Sequence, residues 1–94
     1  MRMRAGQFER VAKALADPRR VAILEAIADD EWCARLRDQV PVSKATVSHH
    51  IKALVRSGVV EARREGQYLR CLVRREVLKA YATELLQRVG AGAG

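Results

Sequence analysis

The stretch from Pro41 to Gly58 admits little besides a helix with both ends marked. Pro41 stops the helix before it, Ser43 offers a side-chain oxygen to the first free backbone N–H groups, and Gly58 supplies a left-handed closing residue. At about 100° per residue, Val47, Ile51 and Leu54 gather on one side of that helix, flanked by His50 and Val55. Ala45, His49, Lys52 and Arg56 fall on the opposite side, with Thr46, Ser48 and Ala53 on its shoulders. The outward face is thus small and polar near the N-terminus and basic further along. A helix that enters the major groove of DNA has these needs: small residues for close approach, polar or basic ones for base edges and phosphates.

The flanking sequence supplies a scaffold. Phe8, Val11, Ala12 and Leu15 follow the spacing of a first helix. Asp17-Pro18 reads as a cap followed by proline at the first helical position, and Val21, Leu24, Ile27 and Ala28 form the apolar stripe of a second helix. A third, shorter helix is expected from about Glu31 to Gln39, with Leu36 facing inward, and the fourth runs from Ser43 to about Ser57. Val59 to Arg64 reads as a strand, Glu65-Gly66 as a turn, and Gln67 to Val73 as a returning strand. From Arg75 to Val89, the spacing of Val77, Leu78, Tyr81, Leu85 and Val89 restores a helix. The expected fold is mainly α with a small β-hairpin, a winged helix-turn-helix of five helices with the hairpin before the last. Residues 1–89 form one domain, and the glycine-rich tail, 90–94, is expected to be disordered.

Charge is concentrated where this fold would need it. Between Pro41 and Arg75 eight basic residues face only Glu61 and Glu65, so six of the seven excess positive charges lie in that third of the chain. Such a segment attracts a polyanion by releasing condensed counterions. A solvated basic face and an anionic membrane surface are the competing readings of the same charge. No apolar run approaches the roughly 20 residues that span a bilayer, and no signal-peptide core follows the basic N-terminus, so a cytoplasmic protein is expected. At 94 residues the chain gains from association, which makes a dimer plausible before any motif is read. Cys33 and Cys71 stand alone, with no zinc-finger spacing, and read as reduced packing residues. No Gly-rich phosphate loop, paired carboxylates or nucleophile–base set marks an enzyme.

Three ordered motifs carry a family resemblance. Ser43-Lys44-Ala45-Thr46-Val47-Ser48-His49-His50-Ile51-Lys52-Ala53-Leu54, followed by Ser57-Gly58-Val59-Val60, resembles the recognition helix of the ArsR/SmtB repressors. Ala14-Leu15-Ala16-Asp17-Pro18-Arg19-Arg20-Val21-Ala22-Ile23-Leu24 is similar to the family's second-helix opening, and Arg63-Arg64-Glu65-Gly66-Gln67-Tyr68 to its wing. The resemblance covers roughly residues 8 to 88. It implies a homodimer formed by the first and last helices and double-stranded DNA, as a palindromic operator, for a partner. It also implies DNA contacts from Ser43, Lys44, Thr46, Ser48 and His49, to which the helical wheel adds Lys52. Arg63, Arg64 and Gln67 of the wing would meet the adjacent backbone or minor groove. Ser43 reads equally as a pure cap, His50 as a packed histidine, and Arg70 and Arg74 as solvation for the hairpin.

The family's usual signals are missing from the expected positions. Its thiolate pair corresponds to Glu31-Trp32-Cys33-Ala34-Arg35, where arginine replaces the second cysteine, and its last-helix site to a stretch without His or Asp. No metal and no cofactor are therefore expected, and the inducer is unknown. A Cys33–Cys71 thiol switch, an organic inducer near Trp32 and Tyr81, and no ligand at all stay open. So do two other uses of the fold, protein–protein contact and non-specific architectural binding.

Overall fold

The computed structural model describes residues 3–28, 44–66 and 68–90, at positions 44, 45 and 68 the backbone only. Its elements are α1 (Gln7–Leu15), α2 (Pro18–Ala28), α3 (Lys44–Ser57), β1 (Val60–Glu65), β2 (Tyr68–Val73) and α4 (Arg75–Arg88). The helix expected near 31–39 and the cap at Ser43 lie outside the described residues. The other expected elements are present within a residue or two of their predicted ends. Glu65, placed in the turn by its sequence, is instead the last residue of β1.

Each boundary has a local cause. Asp17 Oδ1 accepts from the backbone N–H of Arg19 at 2.9 Å, which caps α2 one residue before Pro18. The Arg19 guanidinium donates to both Asp17 oxygens, at 3.2 and 3.0 Å. Those hydrogen bonds hold the Asp17 carboxyl at about 2, well below the usual carboxylate range. Arg20 Nη1 donates at 3.2 Å to the Lys13 carbonyl, which also accepts the Ala16 backbone N–H at 3.3 Å at the end of α1. At the end of α3 the Val59 N–H reaches Leu54 O at 3.2 Å and the Gly58 N–H reaches Val55 O at 3.0 Å. That pairing is a Schellman closure, with Gly58 at φ 87°.

The core joins all the elements. Val11 and Ala14 of α1, Ile23, Leu24, Ala26 and Ile27 of α2, and Val47, Ile51 and Leu54 of α3 are buried. Val59, Val60, Cys71 and Val77 close the cluster from the hairpin and α4. In α2 the buried stripe is turned from the expected one: Val21 and Ala28 are exposed, while Ile23 and Ala26 are buried. Apolar residues occupy nearly every position from 21 to 28 except Glu25, so periodicity alone does not fix which side of α2 turns inward. Cys71 is fully buried and disulfide-bonded. The expectation of a reduced packing thiol therefore fails at that position; Cys33 lies outside the described residues.

The two strands pair antiparallel, with Val60 opposite Val73, Ala62 opposite Cys71 and Glu65 opposite Tyr68. On the side of α1, Phe8 and Tyr81 stack with ring centroids 4.8 Å apart, and the Arg88 guanidinium lies 3.8 Å from the centre of the Phe8 ring. Arg88 also pairs with Glu84 and, at 3.6 Å, with Glu9, which ties the end of α4 to α1.

Gly58→Ala tests the helix closure. An alanine at φ 87° carries roughly 1–2 kcal/mol of backbone strain, and its Cβ would stand 2.7 Å from Gln7 Nε2. A fall in Tm of about 5–15 °C is expected by thermal melting, from about 4–8 °C per kcal/mol in domains of this size. Gly66→Ala, at φ 60° but with open space around it, is expected to lose less. Equal losses would show that contact with Gln7 contributes nothing.

Candidate nucleic-acid interface

The candidate recognition surface lies on α3, and the core decides which of its sides is available. Val47, His50, Ile51 and Leu54 are all buried, at 5% exposure or less. That anchoring turns Ser48, His49, Lys52 and Arg56 outward, and all four are exposed. Residues at i, i+3, i+4, i+7 and i+8 share a helix face, so these four form one contiguous strip. Thr46 is half-buried at the edge of the strip, and Lys44 begins the helix. Ser43 and Gln67 lie outside the described residues. Val55, expected to flank the buried side, is 38% exposed and borders the strip instead.

The wing separates two residues that the sequence groups together. Alternation along β1 puts Glu61, Arg63 and Glu65 on one face of the hairpin and Val60, Ala62 and Arg64 on the other. Arg63 Nε donates to Glu61 Oε2 at 2.8 Å, and Arg70, opposite Arg63 in the register, pairs with Glu65 at 3.7 Å. The first face therefore carries its own counterions. Arg64, opposite Leu69 on the face that carries Val60 and Ala62, is exposed near the hairpin tip. Among the described residues, Lys52, Arg56 and Arg64 form no ion pair, so their charge is directed at solvent. Arg74 pairs with Glu76 at 3.0 Å, which pulls the Glu76 carboxyl below its ordinary range.

His50 is the titratable group that holds this surface from behind. It is 3% exposed, and neither ring nitrogen has a hydrogen-bond partner among the described residues. Burial pushes its pKa down, the Asp17 carboxylate pulls it back up, and the charges of Arg19, Arg20 and His49 push it down further. Folding therefore favours the neutral ring. Because the unfolded ring titrates near 6.5, protonation favours the unfolded chain below that pH. Stability is expected to fall as pH drops from about 6.5, by at most about 1.4 kcal/mol per pH unit from this group. Asp17, titrating at about 2, does not contribute in that window. Melting curves of wild type and His50→Leu between pH 8 and pH 5 check this; parallel slopes would assign the loss to another group.

One residue behind this surface left no signal in the sequence. Gln7, at the start of α1, donates from Nε2 to the Ser57 carbonyl at 3.3 Å across 50 positions of chain. A lone glutamine so far away has no periodicity or motif to mark it.

A helix of this polarity, packed by its apolar side and followed by a two-stranded wing and a closing helix, defines a winged helix-turn-helix. The family profile for a helix-turn-helix domain matches residues 15–63. The chain is 36% identical over 61 residues to the arsenical resistance operon repressor of Staphylococcus xylosus, a match covering 64% of this chain and 59% of that protein. It superposes with TM-score 0.80 and 29% identity on an ArsR-like transcriptional regulator from Rhodococcus sp. RHA1, over 94% of this chain and 83% of that one. A homodimeric winged helix-turn-helix DNA-binding domain from Mycobacterium bovis, a possible ArsR-family transcriptional regulator, gives TM-score 0.71 and 32% identity over 93% and 81% of the two chains. This chain belongs to the ArsR family of winged helix-turn-helix transcriptional regulators.

Proposed function

We propose that the chain is a sequence-specific repressor that binds a palindromic operator as a homodimer, with α3 in the major groove. The observation that carries this reading is the division of α3 into a buried side, Val47, His50, Ile51 and Leu54, and an exposed strip of Ser48, His49, Lys52 and Arg56. Ser48 and His49 read base edges, Lys52 and Arg56 meet phosphates, and Lys44 and Thr46 serve the N-terminal turn. Arg64 is the wing residue best disposed toward the DNA backbone, since Arg63 has an acidic neighbour in Glu61. Ser43 and Gln67 complete the contact set read from the sequence.

The dimer is supported by apolar surface that the single chain leaves uncovered. Leu85 and Leu86 of α4 and Val89 just after it are 40%, 54% and 69% exposed, and Leu85 and Val89 continue the side that carries Tyr81 toward Phe8 of α1. A second copy meeting α1 and α4 would bury this edge. Among the described residues no helix is long and apolar enough to cross a membrane. The proposed setting is the cytoplasm, the proposed role is binding without catalysis, and neither a metal nor a cofactor is part of the proposal.

Selection of bound duplexes from a random pool tests the function. Two inverted half-sites about one helical turn apart are expected, bound by a dimer, with affinity falling steeply as salt rises. A pool that yields no motif, with equal affinity for unrelated duplexes, would overturn the sequence-specific reading and favour charge-driven architectural binding.

A further inference from the structure

We infer that Gln7 is a positioning residue for DNA recognition, a clasp that fixes the angle between α1 and the C-terminal end of α3. The inference rests on the operator-binding reading above and adds a residue outside the recognition helix and the wing.

The clasp is made at a carbonyl that the closure of α3 does not use. The Schellman pairing uses the carbonyls of Leu54 and Val55, and the Ser57 hydroxyl donates again to Leu54 O at 2.8 Å. The carbonyl of Ser57 itself accepts from Gln7 Nε2. The amide is oriented from its other end, because Gln7 Oε1 accepts the Arg4 backbone N–H at 3.2 Å. With the oxygen committed to a donor, the nitrogen must face the Ser57 carbonyl. Gly58 makes the approach possible, since a side chain there would stand 2.7 Å from Gln7 Nε2.

A small change at this contact has a large lever. α3 has 14 residues, hence a length of about 21 Å. A swing of about 10° at its C-terminal end moves the N-terminal turn by nearly 4 Å, close to the roughly 3.4 Å step between base pairs. In the dimer, α1 belongs to the interface and α3 to the groove, so a clasp between them sets the distance between the two recognition helices. The measurable consequence is discrimination between operators with different half-site spacing.

Gln7→Glu is nearly isosteric and keeps the acceptor for Arg4, but places a carboxylate against the Ser57 carbonyl. Gln7→Lys restores a donor there and suits the negative end of the helix dipole. Wild type, Q7E and Q7K are compared at pH 7.5 on the selected operator and on versions with one base pair added or removed between half-sites. Q7E is expected to bind the best operator 5- to 20-fold more weakly and to lose most of its preference for the native spacing, while Q7K regains that preference. A purely structural role for Gln7 would lower Tm and weaken all spacings alike, and an unchanged spacing ratio in Q7E overturns the inference.

Amide hydrogen exchange without DNA reads the clasp independently. Faster exchange at Gly58 and Val59 in folded Q7E is expected, and unchanged exchange there also overturns the clasp, whatever the DNA results. Failure of the operator reading itself would appear in the wild-type arm, as the absence of any selected motif.

Discussion

Leu54→Ala is expected to remove about 3–5 kcal/mol of stability, the range found when a fully buried leucine leaves a cavity that its neighbours fill only in part. Leu54 is completely buried, on the side of α3 that meets α1, α2 and β1, and its carbonyl also receives the Ser57 hydroxyl and the Val59 N–H. A domain of this length has roughly 5–14 kcal/mol to lose, so the variant sits near its unfolding threshold. Val55→Ala, one position along and 38% exposed, is expected to lose less than about 1 kcal/mol. Urea titrations of both variants at one fixed protein concentration provide the comparison, since association makes stability depend on concentration. Equal midpoints for L54A and V55A would mean that α3 is not anchored as described. With the anchoring intact, loss of DNA binding in L54A tracks the unfolded fraction and vanishes on stabilisation by cooling toward the stability maximum.

Local chemistry made much of this fold readable. The cap at Asp17, the proline after it, the glycine at 58 and the hairpin around Gly66 are decided by residues within a few positions of each other, and each occurs where the sequence puts it. The two sides of α3 were legible because its apolar residues are few and evenly spaced. α2 was not legible in the same way, since apolar residues on nearly every side leave the buried face to be chosen by α1, α3 and β2. The split between Arg63 and Arg64 follows from strand alternation and was available in the sequence; counting Glu61 and Glu65 as a simple charge deficit hid their pairing with Arg63 and Arg70. The Gln7 contact with Ser57 joins residues 50 positions apart. No window of sequence contains that information.

Replacing Ser48, His49 and Lys52 together by alanine is expected to lower affinity for the selected operator by a factor of about 1,000 or more and leave the fold intact. All three are exposed, so alanine there leaves no cavity and no buried polar group. A specific base contact is worth about 1–3 kcal/mol of discrimination, and in a homodimer each substitution acts in both half-sites. The single variants separate the roles. His49→Ala should reduce preference for the operator over random duplex while leaving the salt dependence nearly unchanged, because a base-edge contact releases no counterion. Lys52→Ala should weaken every duplex alike and make the salt slope shallower by about 1.8 for two lost phosphate contacts. If His49→Ala instead weakens all sequences uniformly, the reading of bases moves off this strip and toward the N-terminal turn of α3. If the triple variant binds the operator as wild type does, α3 is not the recognition helix, and the charge gathered between Pro41 and Arg75 acts through the wing alone.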